Sequence, residues 1–92
     1  MARLNDEEVE AALRSLEGWT RHDDAISKRF KRPDFAGSVE LVNMIAPVAE
    51  EMNRHPDLAI SSDTVTVSLT PRSEDGLTRS DFELAARIDA LG

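Results

Sequence analysis

Ninety-two residues, 18 acidic and 11 basic, give a formal net charge of −7, and there is no cysteine. Disulfide scaffolds, cysteine zinc sites and thiol nucleophiles are therefore excluded, and the charge balance opposes binding to a nucleic-acid backbone. With 40% hydrophobic and 32% charged residues, the expectation is one globular domain spanning 1–92 that folds without staples. The start of the chain has no basic stretch followed by an apolar one, and the longest apolar window, Leu41 to Ala49, is interrupted by Asn43 and Pro47. A cytoplasmic protein that neither spans nor binds a membrane is expected.

The first helix is announced by its cap. Asn5 can accept from the backbone N–H groups of the first turn, Glu8 can reach back, and Leu4 with Val9 fit a hydrophobic staple. Val9, Ala12, Leu13 and Leu16 keep helical spacing until Gly18 ends the element. Trp19 to His22, a turn at Asp23-Asp24, and Ala25 to Lys31 with Ile26 and Phe30 on one face predict a hairpin. The one basic cluster, Lys28, Arg29, Lys31 and Arg32, falls on this hairpin and is expected to protect a strand edge rather than to bind nucleic acid.

Pro33-Asp34 opens a second helix. Phe35, Val39, Val42, Ala46, Ala49 and Met52 form one apolar strip, and Leu41, Met44, Ile45 and Val48 form another. Two strips need two burial partners, so one is expected to meet the sheet and the Leu41 strip to meet a helix of another subunit. Pro47 removes an interior N–H and should cost about 3 kcal/mol or kink the helix. The helix is predicted to stop around 53–56, because the residue before Pro56 is pushed out of the helical region. Leu58 and Ile60 suggest a short strand, Ser61-Ser62-Asp63 a turn, and Thr64 to Thr70 an alternating strand placed at the sheet edge. After the polar loop Pro71 to Gly76, Thr78 with Asp81 caps a third helix stapled by Leu77 and Phe82, with Ala85, Ala86 and Ile88 on its inner face. The order α-β-β-α-β-β-α implies an α+β domain whose four-stranded antiparallel sheet carries the helices packed on one face. Spacing also assigns the aromatics Trp19, Phe30, Phe35 and Phe82 to the core.

Phosphate-binding loops, nucleophile elbows and zinc-protease motifs are absent, and the two histidines, His22 and His55, are too far apart in sequence to argue for a metal. Titratable groups crowd at one place, where Glu50, Glu51, Asn53, Arg54, His55 and Asp57 surround Pro56. A histidine there can shuttle protons, with a neighbouring carboxylate to orient it. Arg54 and His55 can equally cap the second helix by donating to its last carbonyls, and on the residues alone this is the plainer reading.

Gly18-Trp19, Ile26 and Phe30, Asp34-Phe35, Ala49-Glu50-x-x-Asn53-x-His55-Pro56-Asp57, Val65-x-Val67-x-Leu69-Thr70 and Gly76-Leu77-Thr78-x-x-Asp81 together resemble the pterin-4a-carbinolamine dehydratases. The resemblance runs from residue 18 to about 89. It implies dehydration of 4a-hydroxytetrahydropterin to quinonoid dihydropterin, with no metal or organic cofactor, by a homodimer or homotetramer. The family's usual motif has Glu, three residues, His-His-Pro, an aromatic residue, a third His after the last strand, and Asp. Here Glu50, His55, Pro56 and Asp81 match, while Arg54 and Arg72 stand where histidines are usual and Ser62 where the aromatic is usual.

The resemblance makes His55 the catalytic acid/base group and Glu50, Arg54, Pro56, Asp57, Arg72 and Asp81 its supporting or substrate-binding residues. The reaction takes one proton from a ring nitrogen and delivers one to the departing 4a-hydroxyl. Arginine cannot act as the base, although Arg54 and Arg72 could stabilise developing hydroxide by charge. The alternative function is a non-catalytic scaffold on the same fold, such as a Rubisco assembly factor or a transcriptional coactivator, with the two arginines contacting an acidic protein partner.

Overall fold

A computed structural model of the chain describes residues 3–70 and 76–91. Its elements are α1 (Asp6–Arg14), β1 (Thr20–His22), β2 (Ala25–Lys31), α2 (Phe35–Met52), β3 (Asp57–Ser61), β4 (Thr64–Leu69) and α3 (Arg79–Leu91). The α-β-β-α-β-β-α order and the α+β class are those the sequence predicts. The strands form one antiparallel sheet in the order β1-β2-β4-β3. Alternation sorts its two faces. Val65, Val67 and Leu69 of β4 are buried together with Ile26 and Phe30 of β2, Leu41 and Ile45 of α2, and Leu84 and Ile88 of α3. Thr64, Thr66 and Ser68 alternate with the buried residues of β4 and occupy its other face.

Position within the sheet departs from expectation. β4 pairs with β2 on one side and with β3 on the other, so the Thr64–Thr70 strand is interior and the edges are β1 and β3. The Lys28 to Arg32 cluster does not guard an edge either, because β2 is paired on both sides. Side chains project from the faces of a sheet whereas an edge lies in its plane, so a polar face says little about which strand is outermost. The cluster is instead divided between partners. Lys28, opposite Val67, turns to the helix side and bonds Asp89 of α3 at 2.9 Å, while Lys31 pairs with Asp63 at 2.9 Å. Asp89 also accepts from the Trp19 indole at 3.1 and 3.2 Å, tying the start of β1 to α3.

The apolar strips of α2 depart from expectation as well. Leu41 and Ile45 are fully buried, so the strip expected to meet another subunit faces the sheet. Phe35, assigned to the core, is 60% exposed, and Val39 and Ala46 are exposed along the same outward stripe. The inner stripe begins at Ser38, whose polarity hides it from a hydrophobic pattern. Ser38 is completely buried because its hydroxyl donates to the Ser62 carbonyl at 3.0 Å, which satisfies it at the β3–β4 turn. Pro47 lies on the exposed side of a helix that runs unbroken from Phe35 to Met52, where the carbonyl it leaves unpaired can be hydrated.

Both predicted N-terminal caps form. Asn5 and Glu8 make the reciprocal bonds of a capping box at 2.8 and 2.9 Å. α1 nevertheless ends at Arg14, before Gly18, since the Ser15 hydroxyl and N–H both donate back to the Ala12 carbonyl. Among the described residues no helix is long and apolar enough to cross a membrane.

Candidate functional site

The end of α2 is built by one residue in an uncommon conformation. Asn53 adopts φ 55° and ψ 40°, the left-handed region that asparagine tolerates better than most side chains. The Asn53 N–H donates to the carbonyls of Ala49 and Glu50, and the Arg54 N–H donates to Ala49 at 3.0 Å. These backbone bonds close the helix three residues before Pro56, so asparagine rather than proline is the stop signal. They satisfy the Ala49 and Glu50 carbonyls from the backbone, and the His55 side chain, which the sequence offered as a cap, bonds the Glu50 carboxylate instead.

The reversal at Asn53 folds the chain back over the last helical turn. There His55 Nε2 lies 2.5 Å from Glu50 Oε2. A nitrogen and a carboxylate oxygen this close share a proton, with Nε2–H donating to Glu50. In the neutral ring that leaves the lone pair on Nδ1, the atom able to exchange protons with a ligand. The imidazole is 60% and the carboxylate 72% exposed, so the pair is open to solutes and adds little to stability. Beside it, Glu51 accepts from the Arg87 guanidinium at 3.1 and 3.4 Å, which fastens the end of α2 to α3.

The remaining predicted residues are distributed unevenly. Arg54 and Pro56 are partly buried on the segment between α2 and β3, and Asp57 opens β3 opposite Ser68. Asp81 is 4% exposed, and its carboxylate accepts from the Thr78 N–H at 2.9 Å and the Thr78 hydroxyl at 3.4 Å. These bonds make it the cap of α3, as its spacing from Thr78 predicts. Arg72 lies outside the described residues. Ser62 sits in the turn at the far end of β3 from His55, a strand of five residues or about 16 Å away, so it does not border the Glu50–His55 pair. What the residue pattern missed is the role of Asn53. The available signal was an asparagine immediately after the last apolar helical position, which marks a left-handed cap. Among the described residues no group of three or more His, Asp or Glu side chains is placed to hold a metal ion.

Comparison with known proteins points to one family. The family model for pterin 4 alpha carbinolamine dehydratase matches residues 2–91. A protein of Sulfolobus acidocaldarius provisionally named a pterin-4-alpha-carbinolamine dehydratase is 39% identical over 89 residues, covering 97% of this chain and 98% of its own. A Mycobacterium avium protein given the same provisional name is 40% identical over 91 residues, covering 99% and 97%. Among solved structures, a transcriptional coactivator/pterin dehydratase from Brucella melitensis superposes with a TM-score of 0.91 at 34% identity over 97% of each chain. A pterin dehydratase-like protein described as a RuBisCO assembly factor in the alpha-carboxysome shares the fold, with a TM-score of 0.70 at 24% identity over 83% of this chain and 90% of that one. A family match across nearly the whole length, with relatives at about 40% identity over the same span, establishes that this chain belongs to the pterin 4 alpha carbinolamine dehydratase family.

Proposed function

We propose that the protein removes water from 4a-hydroxytetrahydropterin, with His55 as the proton-transfer group and Glu50 as the carboxylate that orients it. The observation that carries this reading is the 2.5 Å bond between His55 Nε2 and Glu50 Oε2, which engages Nε2 and not Nδ1. One proton leaves a ring nitrogen of the pterin, one joins the departing 4a-hydroxyl, and the products are quinonoid dihydropterin and water. A single histidine can serve both transfers in turn, because it ends the cycle in the protonation state in which it began. Arg54 supplies fixed positive charge where hydroxide develops. Arg72, Asp57 and Asp81 are the further residues we assign to the pocket, Asp81 by holding the first turn of α3 in place. No metal or organic cofactor is required by these steps.

The test is stopped-flow dehydration of freshly generated 4a-hydroxytetrahydropterin. The protein should exceed the spontaneous rate, and Arg54→His combined with Arg72→His should raise it further, since each change replaces a fixed cation by a group able to give and take protons. If neither protein exceeds the spontaneous rate, the enzymatic reading fails. The second reading, a scaffold binding an acidic protein partner, is favoured by Arg54, which stands where the family resemblance places a histidine. It predicts a partner whose capture weakens steeply with salt and is lost in Arg54→Glu.

We also propose a homo-oligomer, built by the unpaired edge of β3 and by the outward stripe of Phe35, Val39 and Ala46 on α2. Val39→Asp should reduce the mass seen by light scattering and leave the circular dichroism intact. Leu41→Asp, which places a charge in the core, should abolish the folded signal. A mass unaffected by Val39→Asp would exclude the stripe as a subunit contact.

A further inference from the structure

Away from the α2 end, a cavity of about 610 Å³ runs between α1 with its following turn and α3. Its walls follow helical spacing: positions 8, 11, 12, 15 and 16 on one side and 79, 82, 83 and 86 on the other. Each wall therefore extends about 10 Å along its helix. The floor is apolar, formed by Leu4, Ala12, Leu16, Phe82 and Ala86. α1 lies only lightly on the domain. Val9 is its one fully buried residue, and it is held besides by Ala12 and Leu13, partly buried against the core, by the Leu4 N–H to Leu77 carbonyl bond and by Arg21 on Asp6 and Glu10. The groove is the space this light packing leaves open.

We propose that this groove docks an amphipathic helix of a protein partner whose flanks are basic. Shape supports a helix. Each wall runs for about two helical turns, and alanines at 11, 12 and 86 with Ser15 leave room for large apolar side chains of an occupant. Charge selects the kind of helix. Glu8 stands on the α1 rim and Glu83 on the α3 rim, so both long sides carry an acid. α1 adds Glu7, against Arg14, while Asp6 and Glu10 are paired with Arg21. A second copy would bring a net charge of −7 against this acidic surface, whereas a lysine-flanked helix meets an opposite charge on each side. Arg79 lines the groove at the N-terminal end of α3. A cation there favours the negative C-terminal end of the docked helix, which gives the occupant a direction. The surface is distinct from the dehydratase residues, since Glu50, Arg54 and His55 do not line it.

The experiment uses two fluorescein-labelled 15-residue peptides with leucine at positions 1, 4, 5, 8, 11 and 12 of a helical pattern. One carries lysine on both flanks and the other glutamate, and anisotropy is read at low and high salt with the whole protein. The lysine peptide should bind, weaken several-fold with salt, and exceed the glutamate peptide by at least about tenfold. Ala86→Trp, which fills the groove from an exposed position, should weaken it by at least about tenfold, and Glu83→Lys several-fold. Ala11→Trp on the opposite wall should repeat the Ala86→Trp result if helix α3 does not tolerate the change. Equal binding of the two peptides, binding insensitive to both tryptophans, or no binding of either peptide overturns the proposal. A tryptophan variant that shifts the oligomeric mass reassigns the groove to a contact between copies, and binding of the neutral dye N-phenyl-1-naphthylamine in the groove without any peptide binding reassigns it to small apolar molecules. Either result also overturns the proposal.

Discussion

Two carboxylates that the sequence places in one site lead different lives. Asp81 and Glu50 both sit at the end of a helix, and both accept a hydrogen bond from a neighbour only a few residues away. Asp81 is buried and bonded to the amide and hydroxyl of Thr78, which is itself fully buried, so its loss would strand two donors away from water. Glu50 is 72% exposed and its partner, the His55 imidazole, is 60% exposed, so both face solvent. The same chemical group thus serves the fold at one helix end and holds an exposed histidine at the other. Burial and the partner's ability to exchange protons distinguish them, and neither can be read from the residue letter.

Substitution should separate the two roles. Asp81→Ala leaves the Thr78 donors unsatisfied and should cost about 1–3 kcal/mol of stability. A domain of this size would show that as a fall in thermal midpoint of about 5–20 °C. Asp81→Asn, which keeps one acceptor, should lose less. Glu50→Gln should leave stability within about 0.5 kcal/mol, as exposed pairs do, and should slow dehydration by about tenfold through loss of the tautomer-fixing carboxylate. Equal thermal losses for the Asp81 and Glu50 variants would erase the distinction.

A smaller effect tests an exposed ion pair of purely structural kind. The Lys31 ammonium hydrogen-bonds Asp63 and, with its charge, holds that carboxyl below its ordinary value of 3.8. A depressed folded value means that the stabilising contribution is complete above the unfolded value and fades as pH falls through the lowered one. Urea midpoints measured from pH 5 downward should therefore fall slightly more in the wild type than in Lys31→Gln, with the divergence beginning near pH 3.8. Parallel curves would show that the pair contributes nothing.

Much of the architecture was legible because its signals are local. The capping box at Asn5, the bond from the Thr78 N–H to Asp81, the alternation of β4 and the hairpin through Asp23-Asp24 each depend on residues close in sequence. Strand order and the orientation of α2 were not legible for the same reason. Whether β4 lies inside the sheet depends on which neighbours it finds, and the inner stripe of α2 starts at a serine whose burial is compensated by a carbonyl 24 residues away. The site was half visible. The crowding of Glu50 and His55 could be seen in the sequence, but the contact depends on a left-handed Asn53, and the exposed Phe35 carries a residue type that normally signals core.

The most direct measurement compares single-turnover dehydration of 4a-hydroxytetrahydropterin by the wild type and by His55→Ala, each at saturating enzyme and with matched thermal midpoints. If His55 performs the proton transfer, the enzyme-dependent rate should fall by about 10²- to 10⁴-fold, with the fold unchanged because the imidazole is 60% exposed. A His55→Ala protein that dehydrates the pterin as fast as the wild type would contradict the assignment of His55 and with it the role given to Glu50.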